Sequence, residues 1–171
     1  IMTGCRGAKL SVADEQMARG EYHDAAKTYR KVYNKLTKKE QRGQRGEVAF
    51  KMAECHRHLN QSARASAAYQ NAIRYGFPDS MAQLHLAEML QAEGKYSAAI
   101  NVYREFLMRN PDSFTAKNGL AGSEMALANQ KQKTTRYVVK NAKLFNSRRA
   151  DYAPMYFDKT CDALYFTTTN E

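Results

Sequence analysis

The chain has 171 residues, 43% hydrophobic and 26% charged, enough for one packed core of ordinary globular composition. No apolar run approaches the ~20 residues that cross a bilayer, and the scattered Cys5, Cys55 and Cys161 make neither a metal-ligand spacing nor a disulfide framework. The 27 Lys and Arg against 17 Asp and Glu give a formal net charge of +10, which favours association with nucleic acid, an anionic membrane or an acidic protein face; the alternative is a solvated basic surface.

At the start, Gly4-Cys5 resembles the end of a bacterial lipoprotein signal. That reading makes residues 1–10 a tether with Cys5 as the lipid attachment; the alternative is a chance Gly-Cys pair. Arg6 to Lys9 contain no acidic cluster of the kind associated with surface export, so the anchored protein is expected to face the periplasm.

Next comes one phrase in three copies: Gly20-Glu21-Tyr22 with Ala25 and Tyr29, Asn60-Gln61-Ser62 with Ala65 and Tyr69, and Gly94-Lys95-Tyr96 with Ala99 and Tyr103. The last two copies stand about 34 residues apart, the period of the tetratricopeptide repeat, a helical hairpin that buries its apolar face only against a neighbouring copy. The expected fold is therefore all-α, a superhelix of about three to four repeats over residues 11–148, with a short β-prone segment after it.

Aligned on the turns, Val12 and Ala13 face Ala25, Tyr29 and Val32 in the first unit. Met52 and Ala53 face Ala65, Tyr69 and Ala72 in the second; Leu86, Ala87 and Leu90 face Ala99, Tyr103 and Phe106 in the third, which closes at Asn110-Pro111. Small residues at Ala13, Ala53 and Ala87 allow close helix approach, and the tyrosines fill the space between repeats as core, with no cofactor implied. The interval from Gly20 to Asn60 exceeds one period, and the surplus, Leu36 to Arg45, is expected to lengthen the second helix or form a connector standing proud of the stack. A fourth unit begins with Phe114, Leu120, Ala121 and Met125 and loses its pattern from Ala128 to Lys133; a further helix is expected from Thr134 or Thr135 through Leu144, over the open end. Tyr152 to Phe157 and Ala163 to Thr167 read as two strands around the turn Asp158 to Asp162. A lone hairpin needs more sheet to pack on, so the natural polypeptide is expected to continue.

His23, His56, His58 and His85 occur singly on helical patterns, and no metalloprotease helix, nucleophile elbow or phosphate-binding glycine loop is present. No enzyme activity, cofactor or metal is expected. By resemblance to tetratricopeptide repeats, fixed positions of each first helix face a groove. Here they include Asp14, Glu54 and Glu88 as an acidic row, with Leu10, Phe50, Met81 and Leu84 beside it and Arg57 nearby. Chaperone-binding members of that family grip a peptide carboxylate with Lys and Asn at such sites, and this row would repel one. The expected groove ligand is an apolar or basic segment; the alternative is a groove filled by the chain's own last helix or tail. Basic bands run from Lys27 to Arg45 and from Lys131 to Arg149; no reading helix or aromatic platform accompanies them, so an acidic protein, lipid headgroups or cell-wall polymer is expected before nucleic acid.

The stretch Arg149 to Tyr156 through Leu164 to Thr167 resembles the opening blade of β-propellers in Bacteroidetes outer-membrane proteins. With the repeats and Gly4-Cys5, the order is similar to PorE-like OmpA-family lipoproteins of the type IX secretion system. The resemblance implies a noncatalytic scaffold at the periplasmic face of the outer membrane, with 149–171 opening a propeller. It implies other secretion-system proteins as partners, and peptidoglycan contacted only through a C-terminal domain outside these residues. A general peptide-binding adaptor and an accessory module of a periplasmic cell-wall enzyme are the alternatives.

Overall fold

The computed structural model describes residues 4–131, 151–156 and 164–168, in two compact units, residues 1–131 and 132–171. The first holds seven helices: α1 Gly4–Ala18, α2 Tyr22–Tyr33, α3 Arg42–His58, α4 Ser62–Arg74, α5 Met81–Ala92, α6 Tyr96–Arg109 and α7 Phe114–Lys131. Each packs on the next in sequence, and α5 also meets α7, the nearest-neighbour pattern of a solenoid.

The turns between helices share one mechanism. Glu21 N–H bonds Gln16 O at 2.9 Å and Gly20 N–H bonds Met17 O at 3.0 Å, a pairing repeated by Gln61 with His56 O and Asn60 with Arg57 O, and by Lys95 with Leu90 O and Gly94 with Gln91 O. These are paired helix-end bonds that satisfy otherwise orphaned carbonyls, and they require a left-handed residue. Gly20 (φ 77°) and Gly94 (φ 73°) supply it without cost, and Asn60 (φ 54°) is the non-glycine that takes the same place. Gly76 (φ 81°) caps α4 in the same way, a turn the three-copy phrase does not contain.

Between the helices, Ala13, Ala53 and Ala87 on the first helix of each hairpin and Ala25, Ala65 and Ala99 on the second are fully buried, as are Tyr29 and Tyr69, with Tyr103 nearly so. Alanine at both sides lets the backbones approach, and each tyrosine fills the wedge this leaves. Tyr103 reaches α7 so closely that a Cβ at Gly119 would lie under 3.0 Å from its ring, which requires glycine there for packing.

Several expectations need correction. Val12 is 46% exposed, whereas Met52 and Leu86 at the matching places are buried, because α1 has no described helix on its outer side. On α7, Phe114 and Met125 are exposed and the buried residues are Ala116 and Ser123; the helix continues past Ala128 to Lys131. The surplus before the second repeat does not lengthen α2. It forms a connector with a 3-10 turn at Lys39–Gln41 and adds a turn to α3. Nor does it all stand proud: Leu36 is in the core, and the Arg45 guanidinium lies 4.5 Å from the Tyr33 ring centroid and 4.7 Å from that of Tyr75, wedging the connector onto the stack.

In the second unit, strands β1 Asp151–Tyr156 and β2 Leu164–Thr168 pair antiparallel, Tyr152 opposite Thr167 and Met155 opposite Tyr165. The register shifts between Tyr152 and Met155, the stretch that holds Pro154, whose missing N–H cannot serve a regular ladder. The helix expected from Thr134 or Thr135, the turn Asp158 to Asp162, Cys161 and most of the second basic band lie outside the described residues.

Candidate functional site

The residues assigned to the groove fall on α1, α3 and α5, and their environments differ sharply. Leu84 is buried in the core and does not face a ligand; Leu10 and Phe50 are half-buried, and Met81 is 39% exposed. Phe50 stacks on Phe77 at 4.3 Å between centroids and meets Tyr69 edge-on at 5.9 Å, an aromatic cluster in which the two phenylalanines are partly exposed. Cys5 falls in the first turn of α1.

Glu54, expected as an open carboxylate, is 8% exposed and fully engaged. Arg57 donates to its Oε2 from Nη2 at 2.7 Å and from Nε at 3.2 Å. His85 Nδ1 lies 2.8 Å from Oε1, which also accepts the Tyr69 hydroxyl. Burial pushes the Glu54 carboxyl up, and the hydrogen bonds from His85, Arg57 and Tyr69 outweigh it and hold the group down at about 2. The same cluster drives the Tyr69 hydroxyl far up, burial first and Glu54 second. Glu54 is thus the anchor of a polar knot joining α3, α4 and α5.

Asp14 is engaged in a similar manner. Its Oδ1 accepts Tyr29 Oη at 2.6 Å and Lys51 Nζ at 3.0 Å, and Lys51 also reaches Glu47 at 3.1 Å. Burial pulls the Lys51 ammonium down and those carboxylates raise it on balance. In the third hairpin the pattern breaks: Tyr103 donates to Gln91 at 3.0 Å, and Glu88 has no hydrogen-bonding or ion-pair partner among the described residues. Its charge is still felt, since the Tyr103 hydroxyl is pushed up to about 12 by burial and then by Glu88. The acidic row is therefore one buried and fully paired carboxylate, Glu54, one that shares its lysine with Glu47, Asp14, and one half-buried without a partner among the described residues, Glu88.

Sequence reasoning missed His85, Lys51 and the tyrosine hydroxyls as members of this network. The signal was present: Tyr29 and Tyr69 each follow their acidic partner by 15 residues, the separation of the two bonds. Cys55 is buried, its thiol raised to about 11 by burial and the Glu54 charge, so it is an inert core residue. Among the described residues, no cluster of three His, Cys, Asp or Glu could hold a metal ion, and no helix is long and apolar enough to cross a membrane.

Helical hairpins stacked in order, with a polar row along the first helices, define an α-solenoid of the repeat class. The chain carries tetratricopeptide repeats: models of that repeat match residues 47–80 and 90–130. The fold is similar to the first repeat domain of Spaghetti (RPAP3) bound to the HSP90 peptide SRMEEVD, at 20% identity over 75% of this chain and 97% of that one, TM-score 0.58. It is similar to the Sgt2 repeat domain of Aspergillus fumigatus, at 19% identity over 82% and 91%, TM-score 0.58. A chain of the Sec complex from S. cerevisiae aligns at 11% identity over 74% and 71%, TM-score 0.66. No curated protein matches the chain by sequence.

Proposed function

We propose that the repeat stack is a noncatalytic protein-interaction scaffold whose first-helix face holds an extended segment of a partner protein. The observation that carries this is the contrast along that face: Glu54 is buried and neutralised and Asp14 shares Lys51 with Glu47, while half-buried Glu88 has no partner among the described residues and Phe50 and Met81 offer partly exposed apolar surface. An apolar segment carrying a basic side chain matches that arrangement in charge and polarity. Two similar domains are described with bound HSP90 and HSP70 peptides ending in EEVD, an acidic ligand. Here the Glu88 carboxylate is set against such an end, and the general peptide adaptor is the reading that the fold and the face jointly favour.

The test is a peptide array probed with the wild-type chain and with Glu88→Lys. Binding is expected to favour apolar and basic peptides and to fall in the variant. Enrichment of acidic C-terminal peptides, or an unchanged pattern in the variant, would contradict the proposal.

The finer reading sets the scaffold in a lipid-anchored type IX secretion component at the periplasmic face of the outer membrane. Its support is the order of sequence features: Gly4-Cys5, the repeats, and the β-prone stretch from Arg149 to Thr167. Cys5 would carry the lipid, and the partners would be other secretion-system proteins. Recovery of those proteins with the chain from a membrane extract, dependent on Glu88, would support this placement; recovery of unrelated proteins alone would leave the adaptor reading in its place.

A further inference from the structure

A recess of about 590 Å³ opens between α2 and α4 over the C-terminal half of α3, on residues that take no part in the Glu54 knot. Its floor is apolar, with Ala26, Met52 and Ala68 buried, and its walls carry Arg30 and Lys31 from α2 and Arg64 from α4. Arg30 and Lys31 have no carboxylate partner among the described residues, and Arg64 is bonded only to the neutral Gln61, at 3.0 Å. Lys27 and His23 at the rim share Asp24, at 3.6 and 3.8 Å, and no acidic side chain lines the recess itself. His56, at the floor, lies 2.9 Å from Gln61 Oε1; burial first, and then the Arg64 and Arg30 charges, hold its imidazole toward the neutral form. Three cationic side chains thus converge on one concave, apolar-floored site of the size that takes a compact ligand group.

We propose that this recess docks an acidic segment of a partner protein, with an apolar side chain set on the Ala26, Met52 and Ala68 floor and its carboxylates reaching Arg30, Lys31 and Arg64. A bare inorganic anion would gain nothing from the floor, and single-stranded nucleic acid would find no Phe, Tyr or Trp in the lining on which to stack. This surface is separate from the Glu88 face and its ligand has the opposite charge, so the two proposals stand or fall independently.

The probe is a short fluorescein-labelled peptide of alternating leucine and glutamate, titrated with the full chain and followed by anisotropy. Two controls replace every glutamate by glutamine or every leucine by serine. The wild-type chain is expected to bind the parent peptide and neither control. Arg30→Glu combined with Arg64→Glu, both exposed positions, is expected to weaken binding by about tenfold or more with an unchanged melting temperature. Lys31→Glu alone should weaken it to a lesser degree and provides the second variant. Equal binding by the charge-reversed chain, equal binding of the glutamine peptide, or equal binding of the serine peptide would each overturn the proposal. The last of these would reduce the recess to nonspecific attraction of anions.

Discussion

Tyr69 gives its hydroxyl to Glu54 across the second hairpin, and the same sequence separation joins Tyr29 to Asp14 in the first, so these two repeats share a tyrosine–carboxylate contact, fully buried only in the second. In the second hairpin that contact widens to Arg57 and His85, tying three successive helices to one carboxylate.

Replacing Glu54 with Lys is therefore a change to the core, although position 54 belongs to the groove row. It would set a new cation among Arg57, His85 and Tyr69, at a cost of about 3 kcal/mol or more. Glu88→Lys, at a half-buried carboxylate with no partner among the described residues, is expected to cost about 1 kcal/mol or less. Urea unfolding of the two variants checks this, and equal midpoints would refute the assignment of Glu54 to structure.

Acid should expose the same knot. The Glu54 carboxyl is held at about 2, below its ordinary 4.5, so the unfolded chain binds the extra proton in the interval between. Its contribution is complete well above pH 4.5 and is lost as pH falls toward 2, on the order of 3 kcal/mol. Denaturant midpoints measured down this range should fall more steeply for the wild type than for Glu54→Gln, which has no carboxyl to protonate.

The turn residues give a test free of packing. A Cβ at Gly94 would meet nothing within 4 Å, so Gly94→Ala carries only the left-handed backbone cost, about 1–2 kcal/mol. Asn60→Gly, in the same conformation at φ 54°, is expected to be neutral or stabilising by a few tenths of a kcal/mol. Thermal melts of the pair should shift in opposite directions or leave Asn60→Gly unmoved.

Gly119 behaves differently because its neighbour is the obstacle. Gly119→Ala is expected to cost about 1–3 kcal/mol through the clash with the Tyr103 ring. Adding Tyr103→Leu should recover part of that loss relative to Tyr103→Leu alone, and a double-mutant cycle measures the coupling.

The hairpins were legible in sequence because a periodic contact leaves a periodic residue: Ala13, Ala53 and Ala87, the three tyrosines and the three turn positions all recur. Environments that depend on one partner were not. Glu54 and Glu88 occupy the same place in the repeat, and only the side chains around them decide which is buried: Arg57 and His85 meet Glu54, whereas Gln91 takes the Tyr103 hydroxyl and leaves Glu88 without a partner among the described residues. Leu36 and Arg45 were likewise hidden in a polar stretch whose composition says connector, while their contacts are made with Tyr33, Tyr75 and the core. The exposed Val12 and Phe114 follow from position at the ends of the described stack, where the repeat supplies the residue and no helix supplies its cover.

The central claim is that the first-helix face holds a partner segment through Glu88, the carboxylate of that row without a partner among the described residues. It is tested most directly by two-dimensional NMR of the chain titrated with a short peptide of alternating leucine and lysine. The account predicts shift changes concentrated at Phe50, Arg57, Met81 and Glu88, absent in Glu88→Lys and small at Arg30 and Arg64. Changes centred on the recess between α2 and α4, or no saturable change anywhere, would contradict it.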